Sequence, residues 1–130
     1  MSLNVRVITP DQVVWDANAE ELILPSSTGQ IGILKDHAPL LTALDIGAMR
    51  LKKSGKWASI FLMEGFAKVE NNQVIILCNG AEEGTSIDKN AAQADLEKVT
   101  LLYDEATTKK EKIDAALELR KAKARLQAVL

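Results

Sequence analysis

His37 is the only histidine among 130 residues, and it stands in the run GQIGILKDHAPLLTAL with Asp36 beside it. An imidazole next to a carboxylate is a pairing that general bases use, but adjacent residues diverge in direction and no serine occupies a recognisable nucleophile elbow. Cys78, the only thiol, lies in the apolar run VIILC, where a buried sulfur behaves as a small hydrophobe. One histidine and one cysteine without ligand spacing do not make a metal set. The expectation is therefore no catalytic, cofactor-binding or metal-ligating residue, and no cofactor. His37 reads as a structural residue whose ring nitrogens bond nearby backbone.

Gly29 and Gly32 invite comparison with a phosphate loop, yet neither the Lys-Ser/Thr ending nor a following helix is present. They read as turn residues between strands. The pairs Glu20-Glu21 and Glu82-Glu83 flank strands, where adjacent side chains point to opposite faces, so they read as edge charges rather than an acid/base pair. The run ELRKAKARLQ has two readings: a solvated helix face, or a surface that docks an acidic protein or phosphate. Lys109 to Arg125 carries a net charge of +4, against -6 for residues 1–108.

The elements that must position these residues divide the chain in two. Leu3, Val5 and Val7 alternate with Asn4, Arg6 and Ile8 before Thr9-Pro10-Asp11 breaks the run. Further strands are expected at Gln12–Asp16, Glu20–Leu24 (stopped by Pro25), Ile31–Leu34, Ala48–Lys53, Lys56–Met63, Gly65–Glu70 and Gln73–Cys78. Ser54-Gly55 and Asn71-Asn72 are hairpin turns. Short strands punctuated in this way point to an antiparallel sandwich or barrel.

From Asp88 onward there is no glycine or proline, and Ala, Leu, Glu and Lys dominate. Asp88 suits a helix N-cap. Ala92, Leu96, Val99 and Tyr103 make one apolar stripe; Ala115, Leu119, Ala122, Leu126 and Val129 make another, with a polar break around Thr107-Thr108. The fold class expected is β plus α: an N-terminal antiparallel β-sandwich (residues 1–86) followed by a C-terminal antiparallel two-helix hairpin (residues 87–130). The alanine-rich stripes bury modest area, so the hairpin either packs on the sandwich or detaches with little penalty.

A composition with 47% hydrophobic and 26% charged residues supports a globular core, and the length suits one domain with a small helical appendage. An aromatic content of 4% leaves little for stacking single-stranded nucleic acid. A single cysteine suits a reducing compartment. No apolar run approaches the roughly 18 residues of a membrane span, and MSLNVRVITPD has neither signal-peptide nor transit-peptide character.

LPSSTGQIGILKDHAPLLTAL closely resembles the signature of the epsilon subunit of F-type ATP synthases, in which G-x-x-G-I-L-x-x-H-A-P-L recurs between two strands. The likeness extends to VRVITPDQVVWDA, to GFAKVENNQVIILCNGAEE and to the final helices. VWDA and LPSSTGQIGIL resemble the cyanobacterial and plastid branch most. The resemblance implies a noncatalytic rotor subunit of the central stalk that couples the gamma subunit to the c-ring. It implies a thylakoid membrane location, peripheral, on the cytoplasmic or stromal side, with membrane association only through the complex.

Carried over by residue, Ser27, Thr28, Gly29 and Gln30 would face the c-ring. His37, Ala38, Pro39 and Thr42 would face gamma. Arg120, Lys121, Lys123 and Arg125 would dock on acidic residues of the catalytic alpha/beta subunits when the helices extend, inhibiting ATP hydrolysis. Some bacterial members bind ATP through a motif that opens Ile/Leu-Asp and holds an Arg-Ala pair. Here the sequence reads Ile87-Asp88-Lys89-Asn90-Ala91-Ala92, with Ala91 at the arginine position, so weak or absent ATP binding is expected. The competing reading is a free-standing β-sandwich binding module whose basic helix docks nucleic acid or an acidic protein. Affinity for gamma and c-ring separates the first reading from salt-sensitive binding to generic DNA.

Overall fold

The computed structural model describes residues 2–129. Ten strands precede two helices among them: β1 Leu3–Ile8, β2 Val13–Ala19, β3 Glu21–Ser26, β4 Gly29–Leu34, β5 Leu40–Leu44, β6 Gly47–Lys53, β7 Lys56–Leu62, β8 Gly65–Glu70, β9 Gln73–Cys78 and β10 Ala81–Glu83, then α1 Lys89–Glu105 and α2 Lys109–Val129. Period-two patterning explains the strands that were legible in the sequence. Leu3, Val5 and Val7 are buried while Asn4 and Arg6 are exposed, and Ala67 and Val69 are buried while Phe66, Lys68 and Glu70 are exposed. Ser54-Gly55 and Asn71-Asn72 turn through the left-handed region that tight hairpins require, with φ of 53° and 76°, and of 51° and 61°.

The hydrogen-bonded path runs β10-β7-β6-β3-β5-β8-β9-β1-β2, with β4 paired to β3. Its thinnest joint is between β3 and β5, where Ser26 alone faces Leu44. Leu22, Leu24, Met49, Leu51, Ile60 and Leu62 lie on one side of that joint, and Val5, Val7, Ala67, Val69, Val74 and Ile76 on the other. All are buried in one core, so the path folds into two facing layers.

The sandwich is antiparallel, as expected, at every strand pair but one. β1 pairs with β9 in parallel, from Asn4 opposite Gln73 to Ile8 opposite Leu77. Parallel partners need a long crossover, here most of the sandwich, and local turn signals do not report it. β3 also runs through Pro25 instead of stopping there. Its pairing with β6 ends at Ile23, so no ladder bond on that side needs the N–H that proline lacks. The short strands β5 and β10 were not anticipated.

Asp88 caps α1 as expected, its carboxylate accepting from the Ala91 N–H at 3.1 Å. α2 begins with a capping box: Thr108 Oγ1 accepts from the Glu111 N–H at 3.1 Å, and Glu111 Oε2 accepts from the Thr107 N–H at 3.1 Å. These bonds hold the Glu111 carboxyl below its ordinary pKa. Lys112 Nζ closes the hairpin, donating to the Tyr103 carbonyl at 3.0 Å and lying 4.4 Å from the Tyr103 ring centre. The interhelical stripes meet with Ala92, Val99 and Ala122 buried, and α2 turns a second face, Ala124 and Ala128, onto Phe61 and Ile87.

Candidate functional site

The turn between β3 and β4 is a braced polar tip. Ser26 is buried; its Oγ donates to the Gly29 carbonyl and accepts from the Thr28 N–H at 3.3 Å. Gly29 takes φ 128°, a conformation side chains rarely adopt. Ser27 N–H donates to the Ala43 carbonyl at 3.2 Å, and Asp45 N–H to the Pro25 carbonyl at 2.8 Å, so the end of β5 fixes the tip. Ser27, Thr28, Gly29 and Gln30 are all exposed, offering hydroxyl and amide groups from a rigid base.

β4 and β5 lead away from this tip to the Lys35–Pro39 loop at their other end. His37 is half-buried there, while Ala38 and Pro39 are exposed. Its Nδ1 lies 2.6 Å from the Ala38 carbonyl oxygen, as the sequence reading expected of a structural histidine. A carbonyl oxygen only accepts, so Nδ1 carries a proton, and in the neutral ring Nε2 is the acceptor. Thr42 is half-buried on the side of β5 opposite Leu41 and Ala43, so it does not share their face.

That outer face is the feature that sequence reasoning missed. Ala43 lies opposite Phe66, and Phe66 opposite Leu77, making an apolar row across β5, β8 and β9. Leu41 is 73% exposed, Phe66 59% and Leu77 54%. The signal was present in VIILC, since apolar residues at every position mean a strand apolar on both faces, and only one face can point into the core.

The basic residues of α2 are largely engaged. Arg120 pairs with Asp45, and Arg125 Nε lies 2.9 Å from Glu82 Oε2; both acids belong to the sandwich. Lys121 Nζ lies 3.4 Å from Glu118 on its own helix, and Lys123 is exposed. Gly84 marks the closest approach at the far end of α2, because a Cβ there would overlap the Ala128 carbonyl. Cys78 is buried, and burial pushes its thiol pKa up, so it is a poor nucleophile. Among the described residues, no group of three or more His, Cys, Asp or Glu is arranged to hold a metal ion.

Residues 2–84 match the family model described as ATP synthase, Delta/Epsilon chain, beta-sandwich domain. The chain is 80% identical over 129 residues to the chloroplastic ATP synthase epsilon chain of Emiliania huxleyi, covering 99% of each. The chain belongs to the ATP synthase epsilon family. It is 61% identical to the chloroplastic epsilon chain of Guillardia theta, over 99% of this chain and 98% of that one. A chain in the cryo-EM structure of the Euglena gracilis mitochondrial ATP synthase (OSCP/F1/c-ring in rotational state 1) shares the fold. Its TM-score is 0.85 at 17% identity, over 99% of this chain and 82% of that one.

Ala91 is exposed on the first turn of α1, and its N–H is taken by the Asp88 cap. No helix of the described chain is long and apolar enough to cross a membrane.

Proposed function

We propose that this epsilon-family chain is a noncatalytic rotor subunit that couples gamma to the c-ring and restrains ATP hydrolysis through its C-terminal helices. The exposed apolar face of β5, β8 and β9, with Leu41 toward the His37 loop and Ala43, Phe66 and Leu77 in a row toward the Ser27 tip, carries the reading. A sheet face this apolar, opposite the core of the same sandwich, is the surface of a subunit with a standing partner. In this reading gamma covers that face together with His37, Ala38 and Pro39, Thr42 lying on the side of β5 turned away from it, while Ser27, Thr28, Gly29 and Gln30 meet the polar loops of the c-ring. The complex sits at the thylakoid membrane, on its stromal or cytoplasmic side, and the chain reaches the membrane only through the complex.

The sandwich (1–86) and the hairpin (87–130) act as separate bodies. Arg120, Lys121, Lys123 and Arg125 dock on acidic residues of the catalytic subunits when α2 leaves the sandwich. ATP contributes little, because Ala91 removes a phosphate-binding cation, and calorimetry on the isolated chain is expected to give no micromolar binding. The alternative of a basic helix binding nucleic acid loses support from the pairing of Arg120 and Arg125 with sandwich acids. Truncation after Ile87 tests the inhibitory part. The shortened chain is expected to assemble with gamma and the c-ring and to leave ATP hydrolysis faster; unchanged hydrolysis in the reconstituted complex contradicts it.

A further inference from the structure

Asn72 ends the β8–β9 turn at φ 61°, a position where glycine is the easier residue. Its side chain has a use that glycine lacks. Oδ1 accepts from the Asp36 N–H at 2.6 Å, and Nδ2 donates to Asp36 Oδ1 at 3.2 Å, a reciprocal clasp between residues 36 positions apart. Its backbone carbonyl accepts from the Asn4 N–H of β1 at 2.9 Å, so the turn that carries it is anchored to the sheet.

The other end of the clasp is equally constrained. Asp36 takes φ 66°, its Oδ2 lies 3.9 Å from Lys35 Nζ, and the next N–H, of His37, donates to the Leu34 carbonyl at 3.2 Å. The loop thus reverses at Asp36, and the direction in which His37 leaves it depends on how Asp36 is held. With Nδ1–H spent on the Ala38 carbonyl, a fixed loop presents Nε2 as an acceptor.

We propose that Asn72 is a positioning residue of the docking edge: by clasping Asp36 it holds the Lys35–Pro39 loop so that His37 offers Nε2 to a hydrogen-bond donor on the partner. This rests on the reading of that loop as a contact with gamma.

Asn72→Asp keeps tolerance of the left-handed turn and the acceptor for the Asp36 N–H, but sets two carboxylates against each other. The double variant Asp36→Asn/Asn72→Asp restores one amide and one carboxylate. In the full-length chain, Asn72→Asp is expected to speed hydrogen exchange of the Asp36 amide about tenfold and weaken binding to gamma about tenfold, with the melting midpoint nearly unchanged; the swap restores both. Unchanged exchange at Asp36 overturns the clasp. Faster exchange with undiminished gamma binding overturns the positioning role. His37→Ala and Phe66→Glu test the underlying reading separately: if both bind gamma as the parent does, the gamma reading falls. If they weaken binding and Asn72→Asp does not, only the positioning role falls.

Discussion

The sandwich and the helical hairpin are held by different physics. Branched aliphatic side chains from both layers fill the sandwich, with Leu22, Leu51, Ile60 and Ile76 fully buried. The hairpin rests on Phe61, with Ile87, Ala92, Ala124 and Ala128 buried beside it, the half-buried Ile46, Met63, Leu126 and Val129 packed around them, and Arg120–Asp45 and Arg125–Glu82 at its margin. Full burial of a Leu or Ile side chain stabilises by roughly 1.5–3 kcal/mol, whereas an alanine adds only its methyl group, about 0.8 kcal/mol. The ion pairs are partly exposed, with side-chain accessibilities of 51% and 43% for the first and 33% and 43% for the second, so each contributes about 0.2–1 kcal/mol. By these magnitudes the hairpin is the more weakly held of the two regions.

The contrast breaks most visibly in the core. Ile76→Ala removes a fully buried side chain from the core between the two layers and is expected to cost about 2–5 kcal/mol in denaturant unfolding. A loss under about 1 kcal/mol would mean that the sandwich is no more rigid than the hairpin.

Gly84→Ala acts on the seam instead. Its Cβ would meet the backbone at Ala128 and Ser59, so α2 must shift outward while the sandwich stays folded. Fluorescence of Trp57, which lines the cleft beside Ala128, is expected to change with little loss in the main unfolding transition. Joint unfolding of both regions would contradict the separation.

The smallest effect lies at the start of α2. Hydrogen bonds to Thr107 and Thr108 lower the Glu111 pKa in the folded chain, so its contribution is present above the unfolded-state pKa and disappears as pH falls through the folded one. Acid titration followed by NMR is expected to loosen the Thr107–Glu111 cap before any strand responds. A cap indifferent to acid would remove Glu111 from the account.

Local signals made much of this fold legible. Alternation gave away β1 and β6; Ser54-Gly55 marked one hairpin, and Asn71-Asn72 marked the hairpin of β8 and β9; Asp88 marked the start of α1. β5 escaped because LLTAL carries apolar residues on both faces and no period-two pattern. The parallel β1–β9 pair and the two ion pairs escaped for another reason, since Arg120 and Asp45 are 75 residues apart and Arg125 and Glu82 are 43 apart. The motif around His37 was visible as a motif, but the apolar face that β5 shares with Phe66 and Leu77 is assembled from strands that are not adjacent in the sequence.

The distance between a label at Lys123 on α2 and one at Lys56 on β7 tests the central claim most directly. In the full-length chain at low salt one short distance is expected. A longer population should grow when salt is raised or when Asp45→Asn and Glu82→Gln remove the sandwich carboxylates, with the sandwich signals unchanged. It should grow again when the chain is assembled with the catalytic subunits. A single short distance under all of these conditions would contradict the account of a hairpin held lightly on a rigid sandwich.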